Sequence, residues 1–250
     1  IAVFLVVTYL TYRLAKTWVP VRHIAPGQAV RPHRVLIAPI SLFKPVPEKN
    51  ENSQWCVRER DRDGKILREV VLSGKLGEDI AAFSRQGWLW NGQQFLRGLA
   101  PHLQGVDPVG PVKTALTDLV LIGSSGEERS SHASLPVVRD WVATYTDARL
   151  HPLQGAAKGI NFEEIQTLQH TFDKWIRYFI DHGIPESEII LDTTGGQKTT
   201  SIAAALTTLR WSQVEFQYVE SKDAVGNGAE AKPNVLGFNV VVDAPQHGSR

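Results

Sequence analysis

The sequence predicts an α/β fold with a mostly parallel sheet, helices on both faces and a β-hairpin at the C-terminal end. Short runs rich in Val, Ile and Leu recur along the chain, as expected of parallel strands that are buried on both faces. Between most of these runs lie longer stretches with apolar residues at three- and four-residue spacing, which predict amphipathic helices. The last two apolar runs are joined without such a stretch and therefore predict an antiparallel pair.

The apolar runs place the elements in the following order. Strands are predicted at 33–41, 116–125, 148–153, 188–191, 214–219 and 235–242. Helices are predicted at 77–85, 92–103, 135–145, 161–183 and 199–210. This alternation is typical of a doubly wound, Rossmann-like domain. The polar stretch after the first strand is predicted to be an insertion that contains a small hairpin, formed by 55–60 and 65–72.

The longest predicted helix, 161–183, has signals at both ends. Asn161 is a favourable N-cap residue, and Glu164, three positions later, completes a capping-box pattern with Asn in the place of Ser or Thr. Gly183 followed by Pro185 predicts the end of the helix.

Composition and charge restrict the classes of partner. The formal net charge of +1 over 250 residues lacks the basic excess that binders of duplex nucleic acid carry. The single cysteine, Cys56, cannot form an internal disulfide and is expected to be a partly buried apolar side chain. The eight histidines show no spacing typical of a metal site, so neither a metal nor a cofactor is predicted.

The N-terminal residues are unusually apolar. Residues 1–12 carry no charge, and Arg13, Lys16 and Arg22 follow them. We expect residues 1–19 to be the C-terminal part of a transmembrane helix in the inner or cell membrane, with the rest of the chain on the cytoplasmic side. A signal-peptide core and a buried N-terminal element of a soluble protein are the alternatives.

Twelve uncharged residues are too few to cross a bilayer alone. The chain contains no methionine, however, so Ile1 is not expected to be the native first residue. In this interpretation residues 20–32 are a linker, because they include prolines and a glycine, and the domain follows at 33–243.

Small polar residues follow three of the predicted strands. In open α/β sheets, ligands bind beyond the carboxyl ends of the strands, where the strand order reverses. Residues 192–199 combine glycines, hydroxyl groups and a lysine with a helix start, whose free N–H groups and positive dipole end favour a phosphate. Neither the P-loop pattern nor the dinucleotide GxGxxG pattern matches. The candidate ligand-binding residues are Ser41, Gly123, Ser124, Ser125, Gly126, Asp192, Thr193, Thr194, Gly195, Gly196, Gln197, Lys198 and Thr199.

Two of these residues have more specific predicted roles. Lys198 adds a full positive charge beside the turn. Asp192 is able either to orient backbone amides of the turn or to accept a hydrogen bond from a ribose hydroxyl.

Residues 192–198 resemble the Asp-x-Thr-Gly-Gly-x-Lys signature of the CARF family, the CRISPR-associated Rossmann-fold receptors of cyclic oligoadenylates. A helix of small and apolar residues follows the signature, and the likeness in strand order extends over roughly 34–243. The resemblance implies that the turn lines a ligand groove, with Ser41 and residues 123–126 contributing to it. Two departures are Gln197, where many members carry a small or hydroxyl residue, and the long insertion from 44 to 76.

The function that this resemblance implies is that of a membrane effector. Its cytoplasmic domain would bind a cyclic oligoadenylate, cyclic tetra-adenylate being favoured, and control a transmembrane segment in antiviral defence. Family members dimerise so that two sites form one groove for a two-fold symmetric ring, which implies a homodimer or a higher homo-oligomer.

Two alternatives stay open. One is a metal-independent ring nuclease, in which a ribose 2′-hydroxyl attacks the adjacent phosphate and Lys198, Ser41 and Ser124 stabilise the developing charge. The other is a Rossmann-like domain that binds a different nucleotide. No residue is therefore assigned as catalytic.

Overall fold

The computed structural model describes residues 9, 22–24, 28–103, 115–126, 130–151, 159–219, 235–238 and 240–242. The predicted transmembrane segment lies outside these residues, except for Tyr9, and so does the end of the strand predicted at 148–153. None of the helices in the described ranges combines the length and the apolar character that crossing a bilayer requires. The transmembrane interpretation of residues 1–19 stays a prediction.

Twelve strands are present in the described ranges. They are β1 (Arg22–Ile24), β2 (Gln28–Ala29), β3 (Val35–Ile40), β4 (Glu48–Lys49), β5 (Trp55–Arg60), β6 (Ile66–Val71), β7 (Asp118–Gly123), β8 (Arg149–His151), β9 (Ile189–Asp192), β10 (Glu215–Val219), β11 (Val235–Phe238) and β12 (Val240–Val242). Seven of them form the main sheet, in the order β2-β11-β10-β9-β3-β7-β8.

The main sheet is mostly parallel, as predicted. The strands from β10 to β8 run parallel to their neighbours, whereas β11 is antiparallel to both β10 and β2. The pair β10–β11 is the predicted C-terminal hairpin, which is thus confirmed. Going outward from β3, the chain first adds β7 and β8 on one side and then β9 and β10 on the other. The strand order therefore reverses between β3 and β9, as in a doubly wound sheet.

Helices cover both faces of this sheet, which is also as predicted. The helices are α1 (Leu76–Arg85), α2 (Asn91–Leu103), α3 (Leu135–Val142), α4 (Ile165–Asp181) and α5 (Lys198–Arg210). Side chains of α1, α2 and α3 pack into one apolar core, and side chains of α4 and α5 pack into the other.

Strand β3 explains why the two cores are separate. Leu36 and Ala38 point into the core under α2, whereas Val35 and Ile37 point into the core under α4. All six residues of the strand are buried, because successive side chains of a strand alternate between two covered faces. The uninterrupted apolar run seen in the sequence is a consequence of this double burial.

The start of α4 differs from the prediction. The helix begins at Ile165, and Glu164 occupies the N-cap position without a side-chain cap. Asn161 Oδ1 instead accepts a hydrogen bond of 3.0 Å from the amide of Glu163, in a turn that precedes the helix. The N-cap prediction for Asn161 was wrong, because an Asn side chain stabilises such a turn as readily as a helix start. The predicted stop is confirmed, since Gly183 has a φ of +82° just beyond the helix.

The segments flanking β3 add short strands. The insertion after β3 forms a small antiparallel sheet, β4-β5-β6, which contains the predicted hairpin. The residues predicted to be a linker contribute β1, which pairs with β12, and β2, which pairs with β11. Residues 22–24 and 28–29 are therefore paired with the C-terminal strands β12 and β11, and β2 covers the edge of β11 that would otherwise offer unpaired backbone groups.

Candidate functional site

The reversal of strand order puts the ends of β3 and β9 side by side. The two strands pair in parallel, with Ile37 opposite Leu191, so both carboxyl ends open at the same edge of the sheet. Ser41 follows β3 and residues 193–197 follow β9 at this edge. This is the place where doubly wound sheets bind their ligands.

The turn after β9 lies directly on the end of β3. A Cβ atom at Gly195 would lie 2.6 Å from the carbonyl oxygen of Pro39 and 3.3 Å from the amide nitrogen of Ser41. At Gly196 it would lie 2.3 Å from Thr200 Oγ1. Both contacts are shorter than side chains tolerate, so the two glycines are required by the close approach of backbone to backbone and of turn to helix. The turn and the end of β3 consequently form one continuous surface.

Helix α5 starts from this turn with open donors. Its N-cap residue, Gln197, makes no side-chain cap, and its first turn contains no acidic residue. Within the described residues, the backbone amides of Gln197, Lys198 and Thr199 have no hydrogen-bond acceptor. Such amides, together with the positive end of the helix dipole, form a site that favours an anion.

The side chains of the turn divide into exposed and anchoring groups. Gln197 and Lys198 are exposed, and no described residue pairs with the Lys198 amino group. Thr199 Oγ1 donates to the carbonyl oxygen of Phe162, which fixes the first turn of α5 to the start of α4. Thr194 Oγ1 accepts a 3.0 Å hydrogen bond from the amide of Val219 and thereby holds the turn to β10.

Asp192 and Thr193 are buried beneath the turn. Asp192 is 1% exposed, and its Oδ1 accepts a 2.8 Å hydrogen bond from the amide of Thr194. Thr193 is 2% exposed, and both its amide and its hydroxyl donate to the carbonyl oxygen of Gln217 at 2.9 Å. This hydrogen bond to Thr194 matches the first of the two predicted roles of Asp192, which is to orient a backbone amide of the turn.

The environment of Asp192 changes its acidity. Burial raises the pKa of its carboxyl to about 6, and hydrogen bonds from Thr194 and Gln217 oppose this rise. The carboxylate faces α2, where a Cβ atom at Gly98 would lie 2.8 Å from Asp192 Oδ2. The side chain is thus enclosed on the face of the sheet that α2 covers.

The turn after β7 is built from hydroxyl groups that satisfy one another. Ser124 donates from its amide to Ser131 Oγ at 2.8 Å, and Ser131 donates from its amide to Ser124 Oγ at 3.1 Å. The two hydroxyl oxygens are 3.0 Å apart, and Ser131 Oγ donates onward to the carbonyl oxygen of Ile40 at the end of β3. Ser131 is fully buried, so this network joins the ends of β7 and β3.

Two further residues of this turn, Gly123 and Ser125, are held by close backbone contacts. A Cβ atom at Gly123 would lie 2.7 Å from the Cα atom of His132. Ser125 donates from its amide to the carbonyl oxygen of Ile160 at 2.7 Å. Gly126 is exposed and has a φ of +142°, a conformation that favours glycine.

The remaining candidate, Ser41, is half-buried beside the glycine turn. Its Oγ is 3.3 Å from Asn91 Nδ2, which makes a shorter bond of 2.9 Å to the carbonyl oxygen of Leu42. Asn91 Oδ1 in turn accepts a 3.3 Å bond from the amide of Lys44, whose side chain is exposed. The Ser41 hydroxyl is therefore only weakly engaged.

The structure brings together two of the three predicted groups directly. Ser41 and the glycine turn are in contact, whereas residues 123–126 reach them through Ser131. Two residues at this edge were not predicted from the sequence. They are Ser131 and Thr200, whose Oγ1 is buried at the base of the glycine turn without a hydrogen-bond partner among the described residues. Both are hydroxyl residues close in sequence to the predicted segments, which is the signal that could have found them.

No group of three or more His, Cys, Asp or Glu side chains suited to a metal ion occurs within the described ranges. Cys56 is buried in β5, and burial raises the pKa of its thiol. The thiol is thus the apolar side chain that the sequence predicted.

A comparison of the sequence with models of known protein families gives no match, and no curated protein matches it either. The resemblance to the CARF family rests on residues 192–198 and on the strand order, and it stays a prediction.

Proposed function

We propose that the glycine turn after β9 and the end of β3 bind the phosphate groups of a cyclic oligoadenylate, with cyclic tetra-adenylate as the favoured ligand. The observation that carries this proposal is the position of Gly195 on the end of β3, at the reversal of strand order. Gly195 brings the backbone of the turn against the end of β3 with no side chain between them, at the edge where doubly wound sheets bind ligands.

The electrostatics of the same edge support an anionic ligand. The amides without acceptors at the start of α5 lie at the positive end of the helix dipole. Lys198 adds a charge that no described carboxylate neutralises. Thr200 Oγ1, which is buried at the base of the turn, is a hydroxyl without a partner in the described part of the chain. The resemblance of residues 192–198 to the CARF signature favours a nucleotide phosphate over a simple anion.

The proposal extends to the assembly and to the membrane. A ring with two-fold symmetry presents the same phosphates twice, so a homodimer or a higher homo-oligomer would offer two glycine turns to one ligand. Ligand binding would then control residues 1–19 as a transmembrane segment in the inner or cell membrane, in antiviral defence. This membrane arm rests on the sequence of residues 1–12 and on the resemblance.

Cleavage of the ligand is less well supported than binding. Ser124 uses its hydroxyl hydrogen and its amide in bonds to Ser131, so it has no free donor for a developing charge. Incubation of the protein with labelled cyclic tetra-adenylate tests this point. A product with a 2′,3′-cyclic phosphate end would establish the ring nuclease alternative instead.

Calorimetry of the protein with cyclic tetra-adenylate, other cyclic oligoadenylates and linear oligoadenylates tests the binding proposal. Lys198→Ala should weaken binding by about 1.5–3 kcal/mol if the lysine pairs with a phosphate. Lys174→Ala is the matched control, because Lys174 is also exposed but lies on α4. Equal effects of the two substitutions, or no binding of any cyclic oligoadenylate, would contradict the proposal.

The membrane arm has its own measurement. The full chain is placed in lipid vesicles loaded with an ion-sensitive dye, and cyclic tetra-adenylate is added to saturation. Ion leakage is expected with the unchanged protein and is expected to be lost in Lys198→Ala. Vesicles that stay ion-tight with the ligand bound would overturn this arm while leaving the binding proposal intact.

A further inference from the structure

A buried chain of polar side chains begins directly behind the glycine turn. Gln217 stands opposite Asp192 in the register of β10 and β9, and both side chains lie against Gly98 of α2. Gln217 Nε2 donates to the carbonyl oxygen of Gly98 at 2.8 Å. Gln217 Oε1 is 2.9 Å from Nε2 of His102, in the last turn of α2. This buried chain of polar side chains thus extends from the carboxyl edge of the sheet along the face that α2 covers.

The same chain reaches the amino edge of the sheet through a second histidine. The amide of His33 donates to Nδ1 of His102 at 3.1 Å. The His33 ring is 2.8 Å from the carbonyl oxygen of Arg31 through Nδ1 and 3.4 Å from Glu215 Oε2 through Nε2. The Arg31 guanidinium pairs with Glu215 at 3.2 Å. The chain therefore ends two residues from β2, in the segment that leads back to the N-terminal residues.

Every central member of this chain is enclosed. Gln217, His102 and His33 are each 0% exposed, and Asp192 is 1% exposed. A buried polar group that loses its partner is destabilised by the full loss of hydration. Movement of one member therefore requires movement of the next.

The hydrogen bonds allow one arrangement of donors and acceptors. His102 Nδ1 accepts from the His33 amide, so the proton of a neutral imidazole is on Nε2 and is donated to Gln217 Oε1. Reversing the Gln217 amide would set its oxygen against the carbonyl oxygen of Gly98. Burial also lowers the pKa of His102 to about 4, which keeps the ring neutral.

We infer that the buried chain from Asp192 through Gln217, His102 and His33 couples the glycine turn to residues 28–33. The inference rests on the proposed function, because a ligand at the turn would act on it through the Thr194 amide, which is bonded to Asp192. A shift of that amide displaces the carboxylate, and the displacement passes through Gln217 and His102 to the His33 amide. The coupling gives the ligand a path to the N-terminal segment through the interior of the domain.

Amide hydrogen exchange in residues 28–36 measures the coupling, with the His33 amide as the reporter. On addition of saturating cyclic tetra-adenylate, exchange of this amide should change by about threefold or more in the unchanged protein. Gln217→Met should abolish the change while calorimetry still detects the ligand. Gln93→Met is the matched control, since Gln93 is 1% exposed and bonds to Ile80 and Ser84 outside the chain.

A second arm needs no ligand and separates this inference from the binding proposal. Asp192→Asn makes a permanent change at the turn, and it should alter exchange of the His33 amide in the unchanged background but not in Gln217→Met. If Gln217→Met does not fold, Gln217→Asn shortens the same side chain and withdraws its oxygen from His102 Nε2. Its matched control is Gln93→Asn, because the Gln93 side chain bonds to Ile80 and Ser84 outside the buried chain.

The outcomes are distinct. Failure of every cyclic oligoadenylate to bind would overturn the proposed function and leave the second arm to decide the inference. An equal effect of Asp192→Asn on His33 in both backgrounds would overturn the inference, and so would the absence of any effect. A ligand response that persists in Gln217→Met would also overturn it.

Discussion

The turns after β7 and β9 differ in how their polar groups are paired. In the turn after β7, the closed turn, the hydroxyls of Ser124 and Ser131 bond to each other and to backbone groups. In the turn after β9, the open turn, the amides that start α5 and the amino group of Lys198 have no partner among the described residues. Both turns carry glycines and hydroxyl side chains, so their compositions are similar. The difference is in where the polar groups find their partners. The polar groups at the end of β7 are paired within the fold, whereas donors at the end of β9 are left without a partner among the described residues.

The largest effect on stability is expected when a side chain is added to the open turn at residue 195. In Gly195→Ala the new Cβ atom would lie 2.6 Å from the carbonyl oxygen of Pro39, so the turn must move away from β3. We expect a loss of about 2–4 kcal/mol in the free energy of unfolding, measured by urea denaturation. Ligand binding should be lost as well.

Gly77→Ala is the control for this substitution. Gly77 lies in the first turn of α1, where a Cβ atom would meet nothing within 4 Å. Because Ala is the better helix former, Gly77→Ala should leave stability unchanged or raise it by about 0.5–1 kcal/mol. If Gly195→Ala behaved in the same way, the close contact between the turn and β3 would be refuted.

The next effect concerns the pH dependence of the free energy of unfolding, to which the buried groups Asp192 and His102 contribute. The pKa of Asp192 is raised from 3.8 to about 6, so the folded protein holds this proton more tightly, and the free energy of unfolding falls as the pH rises from 4 to 6. The pKa of His102 is lowered from 6.5 to about 4, which produces a fall in stability as the pH drops through the same range. Each effect amounts to about 3 kcal/mol, and the two oppose each other.

Two single substitutions separate these contributions. Relative to the unchanged protein, Asp192→Asn should become less stable as the pH is lowered from 6.5 to 4, because the His102 contribution is no longer balanced. His102→Gln should show the opposite change, becoming more stable over the same interval. Urea denaturation at a series of pH values measures both, and parallel curves for all three proteins would show that folding shifts the pKa of neither group.

A somewhat smaller effect is expected at the closed turn. Ser131→Ala removes one hydroxyl that donates to Ile40 and accepts from Ser124, and it leaves these buried groups without partners. The free energy of unfolding should fall by about 1–3 kcal/mol, as measured by thermal or urea denaturation. Ligand binding per folded molecule should change little, and a selective loss of binding would show that the end of β7 belongs to the ligand site.

Much of this comparison could be predicted from the sequence. The apolar runs of β3 and β7 identify buried strands because both faces are covered, and the glycine-rich segment after β9 lies at the edge where we propose that a ligand binds. The sequence could not show that Asp192 and Thr193 point inward, because their direction depends on contacts with Gln217, 24 or 25 residues further along the chain.

Two other misses, at Ser131 and Asn161, have similar causes. Ser131 follows Ser124 by seven residues, and its importance arises from a contact with Ile40, 91 residues away. Asn161 offers a side chain that suits either a helix start or a preceding turn, and local sequence does not decide between them. Local patterns therefore located the elements and the glycine turn, whereas long-range hydrogen bonds decided which polar residues are structural.

The smallest effect on stability is expected at Ser41, between the two turns. Its Oγ is 3.3 Å from Asn91 Nδ2, and that nitrogen keeps its better bond to Leu42 when the hydroxyl is removed. Ser41→Ala should therefore change the free energy of unfolding by no more than about 0.5 kcal/mol, in contrast to Ser131→Ala. If Ser41 contacts the ligand beside the glycine turn, calorimetry should show weaker binding by about 0.5–1.5 kcal/mol, the contribution of one hydrogen bond. A substitution that destabilised the fold without weakening binding would assign Ser41 to the closed, structural part of the edge.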